Sequence, residues 1–101
     1  MKQTKYPVRV QDSDMNDTIE WHDNGWEFPS PKGYEFMKLV VHRDVSPWRY
    51  GWTVTEANTG CTIGPCGYKT RKEAVALITI AIPRIFDMEF VKILIENESI
   101  T

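Results

Sequence analysis

Thr70 and Glu73 stand three residues apart at the head of an apolar series, and no other feature of this 101-residue chain restricts its folding as much. At that spacing the threonine hydroxyl accepts from a backbone N–H three residues on while the glutamate reaches back to the cap, so a helix starts here. Ala74, Leu77, Ile78, Ala81 and Ile82 then recur at i, i+3, i+4, i+7 and i+8. That is the single apolar face of an amphipathic helix over about residues 71–82. The stretch leading into it, from Trp48, reads as a β-hairpin. Tyr50, Trp52 and Val54 alternate with Gly51, Thr53 and Thr55 at the period of a half-buried strand. Ala57-Asn58-Thr59-Gly60 turns the chain, and Cys61 to Ile63 pairs back before Gly64-Pro65-Cys66-Gly67 breaks the ladder. The fold class that follows is α+β, a small antiparallel sheet built from β-hairpins and packed against one main helix.

The rest of the chain supplies the remaining strands of a single domain, with residues 1–33 as an acidic arm and small hairpin and 34–101 as the sheet-plus-helix core. Tyr6 to Val10 predicts a first strand with Tyr6, Val8 and Val10 on one face, and Pro7 places it on an edge. Gln11 to Asp17 is a polar loop. Thr18–Asp23 and Trp26–Phe28 flank Asn24-Gly25, a dipeptide suited to a two-residue hairpin turn that would set Trp21 opposite Phe28. Tyr34 to Arg43 reads as the longest strand, central because Met37, Leu39, Val40 and Val41 make it nearly continuously apolar. Asp44 to Pro47 turns it back. Pro83 is expected to kink or end the helix. Beyond it, Phe90 to Ile95 reads as a last strand, or alternatively as a second helix with Phe86, Phe90, Ile93 and Leu94 inward.

Composition narrows the function classes. Hydrophobic residues at 42% and charged ones at 26% are ordinary globular values. No apolar run reaches the eighteen or so residues of a membrane span, and no hydrophobic segment follows Met1 to Lys5, so the expected address is the cytoplasm. Cys61 and Cys66 are expected to be free thiols, since a bridge between them would close only a short loop. His22, His42, Cys61 and Cys66 offer zinc-ligand types at spacings that fit neither finger nor ribbon. Asp12, Asp14 and Asn16 begin like a calcium loop, but Asp17 stands where glycine is required and Asp23 where a bidentate glutamate is required. Neither a nucleophile elbow nor a phosphate loop nor a zinc-protease motif is present. The expectation is a binding protein without enzymatic activity and without a cofactor.

Two candidate surfaces carry that expectation. Net charge is −2, yet residues 1–31 hold three Lys/Arg against six Asp/Glu, while residues 32–101 hold nine against eight. Asp12, Asp14, Asp17, Glu20, Asp23 and Glu27, with Trp21 and Trp26 among them, make an acidic-aromatic segment suited to a partner protein with a basic surface. Arg49, with Lys69, Arg71 and Lys72 at the helix start, makes a basic cluster suited to DNA, where exposed backbone N–H groups already favour an anion. The oligomeric state is left open, a homodimer included.

The run Trp52-Thr53-Val54-Thr55, the turn at Thr59-Gly60 and the stretch Gly67-Tyr68-Lys69-Thr70-Arg71-Lys72-Glu73-Ala74 resemble AP2-like modules, the arm-site DNA-binding domains at the front of phage and transposon integrases. The resemblance covers about residues 48–82 and implies a three-stranded sheet on one helix, with the sheet face entering the DNA groove. In this chain the strands are not basic and an acidic arm precedes them. In size, acidic skew and β/α layout the chain also looks like small phage-encoded inhibitors of host defence, including anti-CRISPR proteins. That likeness implies an inhibitor or accessory factor of phage or mobile-element type, acting on a host protein that handles nucleic acid.

Overall fold

The computed structural model describes residues 2–11, 13–44 and 50–100, with the side chains at 65 and 66 outside that description. Among the described residues five strands come first: β1 (Lys2–Gln11), β2 (Asp17–Phe28), β3 (Leu39–Arg43), β4 (Trp52–Glu56) and β5 (Cys61–Tyr68). Two helices follow, α1 (Arg71–Ile85) and α2 (Met88–Glu98). The strands form one antiparallel sheet in the order β1-β2-β3-β4-β5, each hydrogen-bonded to its sequence neighbours. The architecture is α+β, a sheet packed against helices.

β3 sits in the middle and explains its own sequence. Leu39 and Val41 point to the helix side, where they meet Phe28, Val54, Ile63, Ala74, Ile78, Ile82 and Val91. Val40 points the other way, to Tyr6 and Val8. With both faces covered, an alternating pattern would bury polar groups, so the run is apolar throughout. The second face is closed because the sheet curls. The Arg9 N–H donates to the Gly60 carbonyl at 2.9 Å, bringing β1 round to the β4–β5 turn. At that turn the buried Glu56 carboxylate accepts from the backbone N–H groups of Lys38 and Thr59 and from the Asn58 amide, at 2.8–3.0 Å. Buried carboxylates need such partners.

Pro7 lies on the edge strand, as expected, and Thr70 caps α1 by accepting from the Glu73 N–H at 3.0 Å. Several boundaries differ from the expectation. Asn24-Gly25 is no hairpin turn: β2 runs straight through it, Trp21 pairs with Pro7 and Phe28 pairs with Leu39. Asn24 adopts φ 63° and supplies the extra residue of a bulge opposite Lys5. Gly25 is there for space, since a Cβ would come within 2.5 Å of the Tyr6 ring and of Val40. The reversal comes earlier, between Gln11 and Asp17.

The central strand begins only at Leu39. Ahead of it the chain makes two turns, Tyr34 N–H to the Pro31 carbonyl and Met37 N–H to the Tyr34 carbonyl. The Tyr34 phenol donates to the Phe86 carbonyl at 2.6 Å, which fixes this segment to the end of α1. Tyr50 lies outside the next strand, because Gly51 at φ 99° turns the chain into Trp52. The expected turn from Asp44 to Pro47 falls mostly outside the described residues, as do Trp48 and Arg49. In β5 the glycines at 64 and 67, φ 70° and 92°, form an irregularity in the ladder and the strand resumes to pair Tyr68 with Trp52.

α1 passes Pro83 and ends at Ile85, with the Phe86 N–H still donating to Ile82. The tail is the second helix and not a strand. Asp87 accepts from the Phe90 N–H at 3.0 Å as its N-cap. The inward residues also differ: Val91 is buried and Phe86 and Ile95 half-buried, whereas Phe90, Ile93 and Leu94 are exposed. On α1, Ala74, Ile78 and Ile82 are core, and Leu77 is exposed.

Candidate functional site

Trp26 and Trp52 come from strands two apart, yet both project from the helix face of the sheet. Trp26 stands beside Val41, Val41 beside Val54, and Arg43 beside Trp52. The two indoles therefore meet diagonally across β3, with ring centroids 5.8 Å apart and planes tilted by 56°. Arg43, directly across from Trp52, lays its guanidinium 4.9 Å from that ring. Arg71, the first residue of α1, lays its own 4.6 Å from Trp26. The result is a four-member stack, Arg43–Trp52–Trp26–Arg71, in which each cation faces an indole.

The capping of α1 explains why Arg71 arrives there. Thr70 fixes the helix start over the end of the sheet, and Lys69 and Lys72 flank the same turn, both exposed. Neither Arg43, Arg71, Lys69 nor Lys72 forms an ion pair with a described residue. Tyr6, Asp23, Asn24, Trp26, Arg43, Asp44 and Trp52 line an open groove beside the stack. Burial and the charge of Asp23 push the Tyr6 phenol up to about 12, so it remains a neutral wall. Tyr50 stands nearby in sequence and is 87% exposed.

The acidic segment is arranged differently. Asp14 is exposed in the β1–β2 connection, and Asp12 lies outside the described residues. Asp17 sits 3.9 Å from Arg9, Glu20 3.1 Å from His22 and Asp23 4.0 Å from Lys5. Glu27 is half-buried beside Val40. β2 sends Glu20 and His22 to one face and Asp17, Trp21 and Asp23 to the other, so the carboxylates do not converge. Trp21 is 62% exposed among them, whereas Trp26 belongs to the stack. One residue from each expected surface, Trp26 and Arg71, thus meet in one place, and the sequence reading missed Arg43 and Trp52. The only local signal for them is an arginine ending an apolar strand, followed by an aromatic strand.

The face opposite α1, which the integrase-like resemblance would turn toward DNA, is buried under Tyr6 and Val8. There His42 stacks on Tyr6 at 4.1 Å and accepts from the Thr55 hydroxyl. A second concavity of about 170 Å³ lies under α2, apolar apart from Glu56 and its neighbours at the β4–β5 turn. Among the described residues no His, Cys, Asp or Glu group has the arrangement of a metal site, and Cys61 is a free, exposed thiol. Among them too, no helix is long and apolar enough to cross a membrane. Comparisons with protein-family models, curated proteins and solved structures return no match.

Proposed function

We propose that this chain is a non-enzymatic nucleic-acid-binding module whose contact face is the Arg43–Trp52–Trp26–Arg71 stack. One observation carries the reading: two guanidinium groups lie on adjoining indoles and neither is neutralised by a described carboxylate. Guanidinium planes held on aromatic rings stack on bases, and their N–H groups take phosphates. Lys69, Lys72 and the N-terminus of α1 extend the positive potential along the same side. The face suits a short single strand, because duplex binding requires a larger basic footprint than four side chains offer. Binding of a labelled oligonucleotide at low and high salt tests this. Arg43→Ala and Arg71→Ala are each expected to weaken it several-fold at low salt.

A second reading rests on Trp21. It is the large exposed aromatic of β2, on the same face as Asp17 and Asp23. In that reading the chain is an inhibitor or accessory factor of phage or mobile-element type that binds a basic host protein with this strand. Trp21→Ala would then lower capture of a basic partner from lysate and leave oligonucleotide binding unchanged.

A further inference from the structure

The outer side of α1 carries a second stripe that the fold leaves uncovered. Leu77 is 44% and Ile80 53% exposed, two large apolar side chains one turn apart on the side away from the sheet. They belong to the series Glu73, Leu77, Ile80, Arg84, whose spacing of four, three and four is that of a seam between two helices. We propose that this stripe is covered by the same stripe of a second copy of the chain, in an antiparallel α1–α1 contact about a two-fold axis. This goes beyond the nucleic-acid reading and does not depend on it.

The series itself indicates the occupant, because it is complementary to its own reverse. With the axis between Leu77 and Ile80, each Leu77 meets Ile80 of the other copy, and each Glu73 meets Arg84 of the other copy. Such a patch is isologous, as a two-fold interface must be. Within one chain neither Glu73 nor Arg84 forms an ion pair with a described residue, so both charges are available to the second copy. A partner of a single charge sign would match one end of the stripe and oppose the other. Ala76 and Ala81 also exchange places about this axis, and their small side chains let the backbones approach. With two large apolar and two charged side chains per copy, the stripe offers on the order of a few hundred Å². That is below the ~800 Å² per partner of a standard stable interface, so the dimer is expected to depend on concentration.

Sedimentation equilibrium over a range of protein concentrations, with circular dichroism to check folding, tests the proposal. The wild-type chain should shift from monomer to dimer as concentration rises. Glu73→Arg and Arg84→Glu place like charges opposite each other at both ends, so each alone should weaken the dimer at least tenfold. An equimolar mixture of the two variants restores both ion pairs and should dimerise again. Ile80→Glu, which leaves the buried face of α1 untouched, should also give a monomer. Wild-type protein that stays monomeric at every concentration overturns the proposal. So does a dimer that survives Ile80→Glu, or a mixture of the folded charge variants that stays monomeric.

Discussion

His42 is buried as a neutral imidazole, and its hydrogen bonds fix which nitrogen holds the proton. The Arg43 carbonyl, 2.6 Å from Nδ1, can only accept, so Nδ1 carries the hydrogen and Nε2 accepts from the Thr55 hydroxyl at 2.7 Å. Burial holds the pKa of His42 below its usual 6.5, against the opposing pull of the Arg43 carbonyl and Asp44. Between the lowered folded value and 6.5 the unfolded chain binds more protons, so acid favours unfolding. The contribution is complete above 6.5 and is lost as pH falls through that window. The urea midpoint is therefore expected to drop from pH 7 toward pH 5, and to drop less in His42→Gln. Gly25 makes a different residue-scale case. Its φ is not in the left-handed region, so Gly25→Ala fails for space, with an expected loss of about 1–3 kcal/mol as the Tyr6 ring and Val40 are pushed aside. A urea midpoint unchanged in Gly25→Ala would mean that Tyr6 does not pack over β2 at that position.

α1 was legible from the sequence because its signals are local. A cap, an acidic third residue and an i, i+3, i+4 series are set by neighbours within one turn of each other. Thr70→Ala is expected to cost about 1 kcal/mol, and Ile78→Ala about 2–5 kcal/mol. Leu77→Ala is expected to cost under about 1 kcal/mol, since Leu77 is exposed. Urea denaturation of the three variants checks the order, and a large loss at Leu77 would put it back in the core. The elements that depart from the sequence expectation depend on partners distant in sequence. Asn24 accepts a positive φ equally well in a hairpin turn and in a bulge, and only the pairing of β1 along the whole of β2 decides for the bulge. Phe90 to Ile95 is rich in side chains suited to either state, and the Asp87 cap decides for a helix. The candidate site was half legible for the same reason. Trp26 and Arg71 stood out by type, but their contact, and the parts of Arg43 and Trp52 in it, arise from strand order and register.

At the scale of the molecule, curling the sheet determines which surface is left for binding. β1 closes over the face opposite α1, and that face is core. The helix face is covered by α1 and α2 except at the end where the indoles and guanidinium groups gather. The carboxylates of β2 are spread over both sides of the strand and stand near Arg9, His22 and Lys5. Charge alone would have favoured the acidic segment, and geometry favours the stack. With a net charge of −2, long-range attraction to a polyanion is weak, so the proposed binding would rest on the local contact. The most direct measurement is the affinity of a short single-stranded oligonucleotide as a function of salt, followed through the tryptophan fluorescence of the protein. The account predicts quenching on binding and a log–log slope of about −2 to −3, as expected for three to four phosphate contacts on a single strand. In Arg43→Ala and Arg71→Ala the slope is expected to become shallower by about 0.7 each. No binding at low salt, or binding that both variants retain with the wild-type slope, would contradict it.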